Sequence, residues 1–106
     1  MHTITPDELY PLFVAIRKSG EIMLSASVRN LLPDQDRLDF EIHIDHGKLI
    51  FEQKEGGRWT FYRRANGSLA LRSYGLVTRV FPRYGIVSGR YEVKVDQNKI
   101  SIITKL

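Results

Sequence analysis

The chain of 106 residues contains no cysteine. Disulfide frameworks and thiolate metal sites are therefore excluded, and nothing in the composition points to an oxidising compartment. No apolar run comes near the roughly 20 residues that a membrane-spanning helix needs. The opening Met1-His-Thr-Ile-Thr-Pro-Asp-Glu8 lacks a basic stretch followed by an apolar one, so no secretory leader is expected and the cytoplasm is the expected location. Also missing are a Gly-x-Ser-x-Gly elbow and a phosphate loop. The carboxylates concentrate in the polar stripes of strands, and an enzyme is not expected. His43, Asp45 and His46 come close in sequence. Strand alternation sends His43 to a wet face while His46 falls in a turn, and with no third nitrogen ligand nearby neither a metal nor a cofactor is expected.

Acidic residues are scarce in one half only. Residues 1–53 hold five Lys/Arg against nine Asp/Glu, whereas residues 54–106 hold eleven against three, within a net charge of +4. That imbalance implies a basic surface suited to a polyanion or to an acidic partner.

What is present reads as one domain, residues 1–106, built mostly of strands. Thr5-Pro-Asp-Glu8 has the residues of a helix start, with Pro11 limiting it to a short lead-in. Phe13–Arg17 and Glu21–Leu24 read as strands around the turn Lys18-Ser-Gly20. Ser25–Leu32 reads as a short helix capped by serine and stopped by Pro33. Leu38, Phe40, Ile42 and Ile44 then alternate strictly with Asp39, Glu41, His43 and Asp45, the period of a strand with one buried and one wet face. Asp45-His-Gly-Lys48 turns the chain and Leu49–Phe51 returns. After a linker at residues 54–57 the order recurs: strand at Arg58–Tyr62, hairpin signal Asn66-Gly67, strand at Ser68–Leu71, short helix at Tyr74–Phe81 ended by Pro82. The alternating strand Tyr91–Val95, the turn Asp96–Lys99 and the strand Ile100–Ile102 complete the order.

The recurrence can be aligned residue by residue. Gly67, Leu69 and Leu71 match Gly20, Ile22 and Leu24 at a separation of 47, and Val80-Phe-Pro82 matches Leu31-Leu-Pro33 at 49. Tyr91, Val93, Val95, Lys99, Ile100 and Ile102 match Phe40, Ile42, Ile44, Lys48, Leu49 and Phe51 at 51. Both changes of separation fall between elements, where insertions cost little. Two β-β-α-β-β repeats are expected, residues 12–53 and 58–106.

Gly20-Glu-Ile-Met-Leu-Ser-Ala-Ser-Val-Arg-Asn-Leu-Leu32 and Tyr84-Gly-Ile-Val-Ser-Gly-Arg-Tyr-Glu-Val-Lys-Val95 together resemble the two halves of the AbrB/SpoVT swapped-hairpin barrel family. Two such units in one chain are the arrangement of MraZ. The resemblance implies a small β-barrel with pseudo-two-fold symmetry, formed without a second subunit, and a DNA-binding transcriptional regulator. Serine stands at positions 25 and 73 where the family has proline, and the paired Asp-x-x-x-Arg signature of MraZ is missing.

In that family DNA is met by basic residues on and around the short helices. The matching positions are Arg29 in the first repeat and Arg72, Arg79 and Arg83 in the second, with Arg17 and Lys18 at one hairpin and Arg63 and Arg64 at its equivalent. Guanidinium forks suit phosphate oxygens and guanine edges. Trp59 and Phe61 read as core, while Tyr62, Tyr74 and Tyr84 are candidate stacking surfaces. The expected partner is double-stranded DNA. The competing expectation is a protein-interaction or assembly module whose unequal halves drive self-association or grip an acidic protein.

Overall fold

A computed structural model describes residues 1, 3, 4 and 12–106; the lead-in helix expected at Thr5–Glu8 lies outside the described residues. Eight strands close into an antiparallel barrel in the order β1-β2-β6-β5-β3-β4-β8-β7. They are β1 (Phe13–Ile16), β2 (Glu21–Leu24), β3 (Arg37–Asp45), β4 (Lys48–Gln53), β5 (Trp59–Arg63), β6 (Leu69–Arg72), β7 (Gly89–Asp96) and β8 (Lys99–Lys105). Closure gives every described strand a neighbour on both sides, while Glu41–Asp45 at the far end of β3 pair with β4 alone.

Alternation builds the core as the sequence implies. Leu38, Phe40, Leu49, Phe51, Phe61, Leu69, Val93 and Ile100 point inward and are buried, and Ile42, Ile44 and Trp59 pack against them from partly buried positions. Phe61 meets Phe40 edge-on at 4.8 Å between ring centroids and Phe51 at 6.0 Å, the geometry aromatic quadrupoles favour.

Local chemistry sets the turns. His46 (φ 51) and Gly47 (φ 76) take left-handed conformations between β3 and β4, the pair of positive φ values that a two-residue type I′ turn requires. The β5–β6 connection differs from the two-residue Asn66-Gly67 turn expected. Arg64 N–H donates to the Ser68 carbonyl at 2.8 Å, and Gly67 alone takes positive φ, 86°. The result is a three-residue loop closed by a glycine bulge, with Asn66 Oδ1 accepting from Ser68 N–H at 3.0 Å. Arg17 N–H to the Glu21 carbonyl, at 2.9 Å, closes the β1–β2 loop in the same way.

The first helix, α1 (Ala26–Arg29), is shorter than expected because Leu31 and Leu32 close it with bonds three residues back, to Val28 and Arg29. Ser25 Oγ accepts from Val28 N–H at 3.3 Å, and Ser73 Oγ accepts from Leu76 N–H at 3.3 Å at the start of the second helical segment. Serine thus supplies an acceptor to the free amides of each first turn. That second segment, residues 74–84, is not an α-helix ended by Pro82. It winds as a π-helix over Leu76–Val80 and a 3-10 helix over Phe81–Tyr84. Pro82 sits in the first turn of the 3-10 stretch, where a missing N–H costs nothing, and left-handed Gly85 ends it. Val28 and Leu32 from the first helical stretch, and Leu76, Val77 and Phe81 from the second, join the barrel core.

Residues 54–57 are a tight turn rather than a slack spacer. Lys54 N–H donates to the Asp39 carbonyl at 2.9 Å, and a Cβ on Gly57 would stand 2.6 Å from the Phe40 carbonyl oxygen.

Candidate nucleic-acid interface

Pairing interleaves the two halves of the sequence. β1 pairs with β7, β2 with β6, β3 with β5 and β4 with β8. The acidic and basic halves therefore do not become two poles of the molecule. Charge is sorted by hairpin pair instead, and the β1-β2-β6-β5 side gathers cations from both halves.

Glu21 lies at the centre of that side. It begins β2 opposite Arg72 at the end of β6. Its side chain shares the outer face with the apolar Met23 and Ala70 and is only 7% exposed. Arg17 Nε donates to its Oε1 at 3.1 Å, and Arg64 Nη2 donates to its Oε2 at 2.6 Å. Arg17 leaves the first hairpin and Arg64 enters the turn of the third, so one carboxylate ties together loops 47 residues apart. Tyr62, Arg63, Arg64, Ala70, Leu71 and Arg72 line an open groove beside it, and Tyr62 is 56% exposed.

Lys18 joins this face through the backbone. Ser73 N–H donates to the Gly20 carbonyl at 2.8 Å, which holds the Lys18 loop against the start of the second helical segment. Arg79 lies in the π stretch of that segment and Arg83 in its 3-10 stretch, and both are exposed. Lys18, Arg72, Arg79 and Arg83 make no ion pair among the described residues.

Arg29 and Arg63 are placed differently. Arg29 spends all three guanidinium nitrogens internally, on the Gly67 carbonyl at 2.6 Å, Asn30 Oδ1 at 2.9 Å and Asp34 Oδ1 at 3.2 Å. It is a strut between α1 and the β5–β6 loop. Arg63 reaches Asp34 Oδ1 through Nη2, and its Nη1 lies 3.5 Å from Asp36. The hydrogen bond from Arg63, then its charge and that of Arg29, hold the Asp34 carboxyl below its ordinary value. A depressed carboxyl stabilises the fold above its unfolded pKa of about 3.9 and loses that contribution as pH falls through the lower folded value. Wild type should therefore exceed Asp34→Asn in urea midpoint at pH 7, with the two converging below about pH 3.8; a pH-independent gap would refute the linkage.

The histidines separate as their positions imply: His43 Nε2 lies 3.1 Å from Glu52 Oε1, and His46 Nδ1 lies 3.0 Å from Asp45 Oδ1. Among the described residues no group of three or more potential ligands could hold a metal, and no helix is long and apolar enough to cross a membrane.

Glu21 and Arg90 were not legible as parts of this surface. Arg90 stands opposite Ala15 in the β1–β7 pair, with its guanidinium 4.7 Å from the centre of the Phe13 ring. Nothing in a single sequence marks a cross-strand partner 75 residues away. No protein-family model, curated protein or solved structure matches this chain.

Proposed function

We infer that the protein binds double-stranded DNA through the basic side formed by β1, β2, β6, β5 and the second helical segment, and acts as a transcriptional regulator. The observation that carries this reading is the convergence of Arg17, Lys18, Arg64 and Arg72, from both halves of the chain, on one side of a closed barrel. Phosphate contact there leans on Lys18, Arg72, Arg79 and Arg83, with Arg17 and Arg64 offering the donors that Glu21 leaves over. Arg29 contributes by bracing the β5–β6 loop, and Arg63 by tying the end of β5 to the connection between α1 and β3.

A doubled swapped-hairpin barrel of the AbrB type is the architecture that goes with this reading, and the strand registers support it. Ala15 opposite Met23 recurs 47 residues on as Tyr62 opposite Ala70. Ile44 opposite Leu49 recurs 51 residues on as Val95 opposite Ile100. In the β4–β8 pair Ile50 faces Ser101, its own counterpart in the other repeat. The β1–β7 and β3–β5 pairs depart from this symmetry: Val14 faces Tyr91, whereas Phe61 faces Leu38 and not Phe40, a slip of two residues.

Titration of a labelled duplex at 50 and 200 mM salt tests the function. Engagement of about four phosphates implies a roughly hundredfold loss of affinity across that range. The double variant Arg79→Ala/Arg83→Ala should flatten the log–log salt slope by about two and leave the melting temperature unchanged. Absence of duplex binding at low salt would refute the reading. The competing reading, a protein-interaction module, draws on exposed Tyr74, Tyr84 and Val87 around the same segment; under it the double variant changes light scattering of the protein alone.

A further inference from the structure

We propose that Glu21 is the positioning residue of a phosphate-binding fork, in which Arg17, Arg64 and Arg72 present their unused guanidinium donors to a single phosphate group. The proposal rests on the polyanion reading above and names the chemistry at its centre.

Glu21 ties two loops together, but a tie of this kind does not require a carboxylate enclosed among arginines that stay open to solvent. A buried carboxylate loses hydration, and a nonpolar residue on an outer strand would avoid that cost. Here both carboxylate oxygens are used and each takes one arginine. Arg17 spends Nε and Arg64 spends one Nη. A guanidinium has five N–H donors in a rigid plane, so each arginine keeps most of its donors while its orientation is fixed. Their side chains remain about half exposed, 53% for Arg17 and 45% for Arg64, against 9% for the carboxylate between them. The carboxylate is thus enclosed while the cations around it stay open to solvent. Arg72, cross-strand from Glu21 and without an ion pair among the described residues, borders the groove that Arg64 also lines. One anion that holds two of three neighbouring cations leaves a local charge of +2, matched to a phosphate. Arginines held in advance lose less side-chain entropy on binding than free ones.

Positioning and simple neutralisation predict opposite signs for Glu21→Gln. Gln keeps the shape and an acceptor but removes one negative charge. If Glu21 only offsets two arginines, the variant becomes more basic and holds DNA more tightly. If Glu21 positions them, the variant binds duplex about fivefold more weakly despite its added positive charge, the scale of one ordinary hydrogen bond lost. The same full-length proteins are titrated with pyrophosphate while the Nε–Hε signals of the arginines are followed by NMR. In wild type the Arg17, Arg64 and Arg72 signals should move together, and in Glu21→Gln their shifts should shrink. Arg64→Lys, which keeps the charge and loses the fork, should behave like Glu21→Gln.

Equal or tighter duplex binding by Glu21→Gln overturns the proposal. So does a wild-type protein whose three arginine signals ignore pyrophosphate, even where it binds duplex. If pyrophosphate moves these signals and no duplex binds at low salt, the phosphate fork stands and the DNA reading falls.

Discussion

Phe61→Ala is expected to destabilise the protein by about 3–5 kcal/mol, the cost of emptying a phenylalanine site in a core that cannot collapse around it. Phe61 is fully buried, and its ring is held edge-on by both Phe40 and Phe51. These rings come from β3, β4 and β5, three adjacent staves of the closed barrel. Closure limits how far any one strand can move in to fill the space. A domain of this size holds roughly 5–15 kcal/mol in total, so the variant should melt about 15–25 °C lower in a calorimetric scan. A shift below about 5 °C would mean that the three rings do not share one rigid core. Tyr62→Ala, one residue on and facing outward, should leave the melting temperature nearly unchanged.

Gly20→Ala should cost about 2–4 kcal/mol and also weaken duplex binding. Two penalties act at this position. Gly20 has φ +95, a conformation that residues with a Cβ rarely adopt, and an added Cβ would stand 2.9 Å from both N and Cα of Tyr74. Those atoms are backbone and cannot rotate away. Gly67 closes the β5–β6 loop with φ +86, but a Cβ there meets nothing nearer than 3.5 Å. Gly67→Ala should therefore show conformational strain alone, about 1–2 kcal/mol. The difference between the two variants measures the contact between the Lys18 loop and the second helical segment. Equal destabilisation by both would show that no such contact constrains the loop. Because Ser73 N–H donates to the Gly20 carbonyl across that contact, Gly20→Ala should also displace Lys18 from Arg72.

The order of elements was legible because each is specified by neighbours in sequence. Strict alternation from Leu38 to Asp45 marked β3 and its buried face, and glycine at 20, 47 and 67 marked loops that require a left-handed residue. The winding of residues 74–84 was not legible. Pro82 bars an α-helical interior but not the first turn of a 3-10 helix, and the choice between them was made by burying Leu76, Val77 and Phe81 together in the barrel.

The candidate site divides along the same line. Sequence alone determined the supply of cations and their excess over acids in the second half, and it named Arg17, Lys18, Arg64, Arg72, Arg79 and Arg83 together with Arg29 and Arg63. Only the tertiary structure decided which of them are committed. Arg29 and Arg63 were drawn into internal bonds with Gly67, Asp34 and Asp36, and Glu21 was enclosed between Arg17 and Arg64. The physical reason is that hydrophobic period and turn chemistry are local, whereas the pairing of β2 with β6 is set by closing one barrel around a shared core. A charge acquires its partner only when that closure brings distant strands side by side.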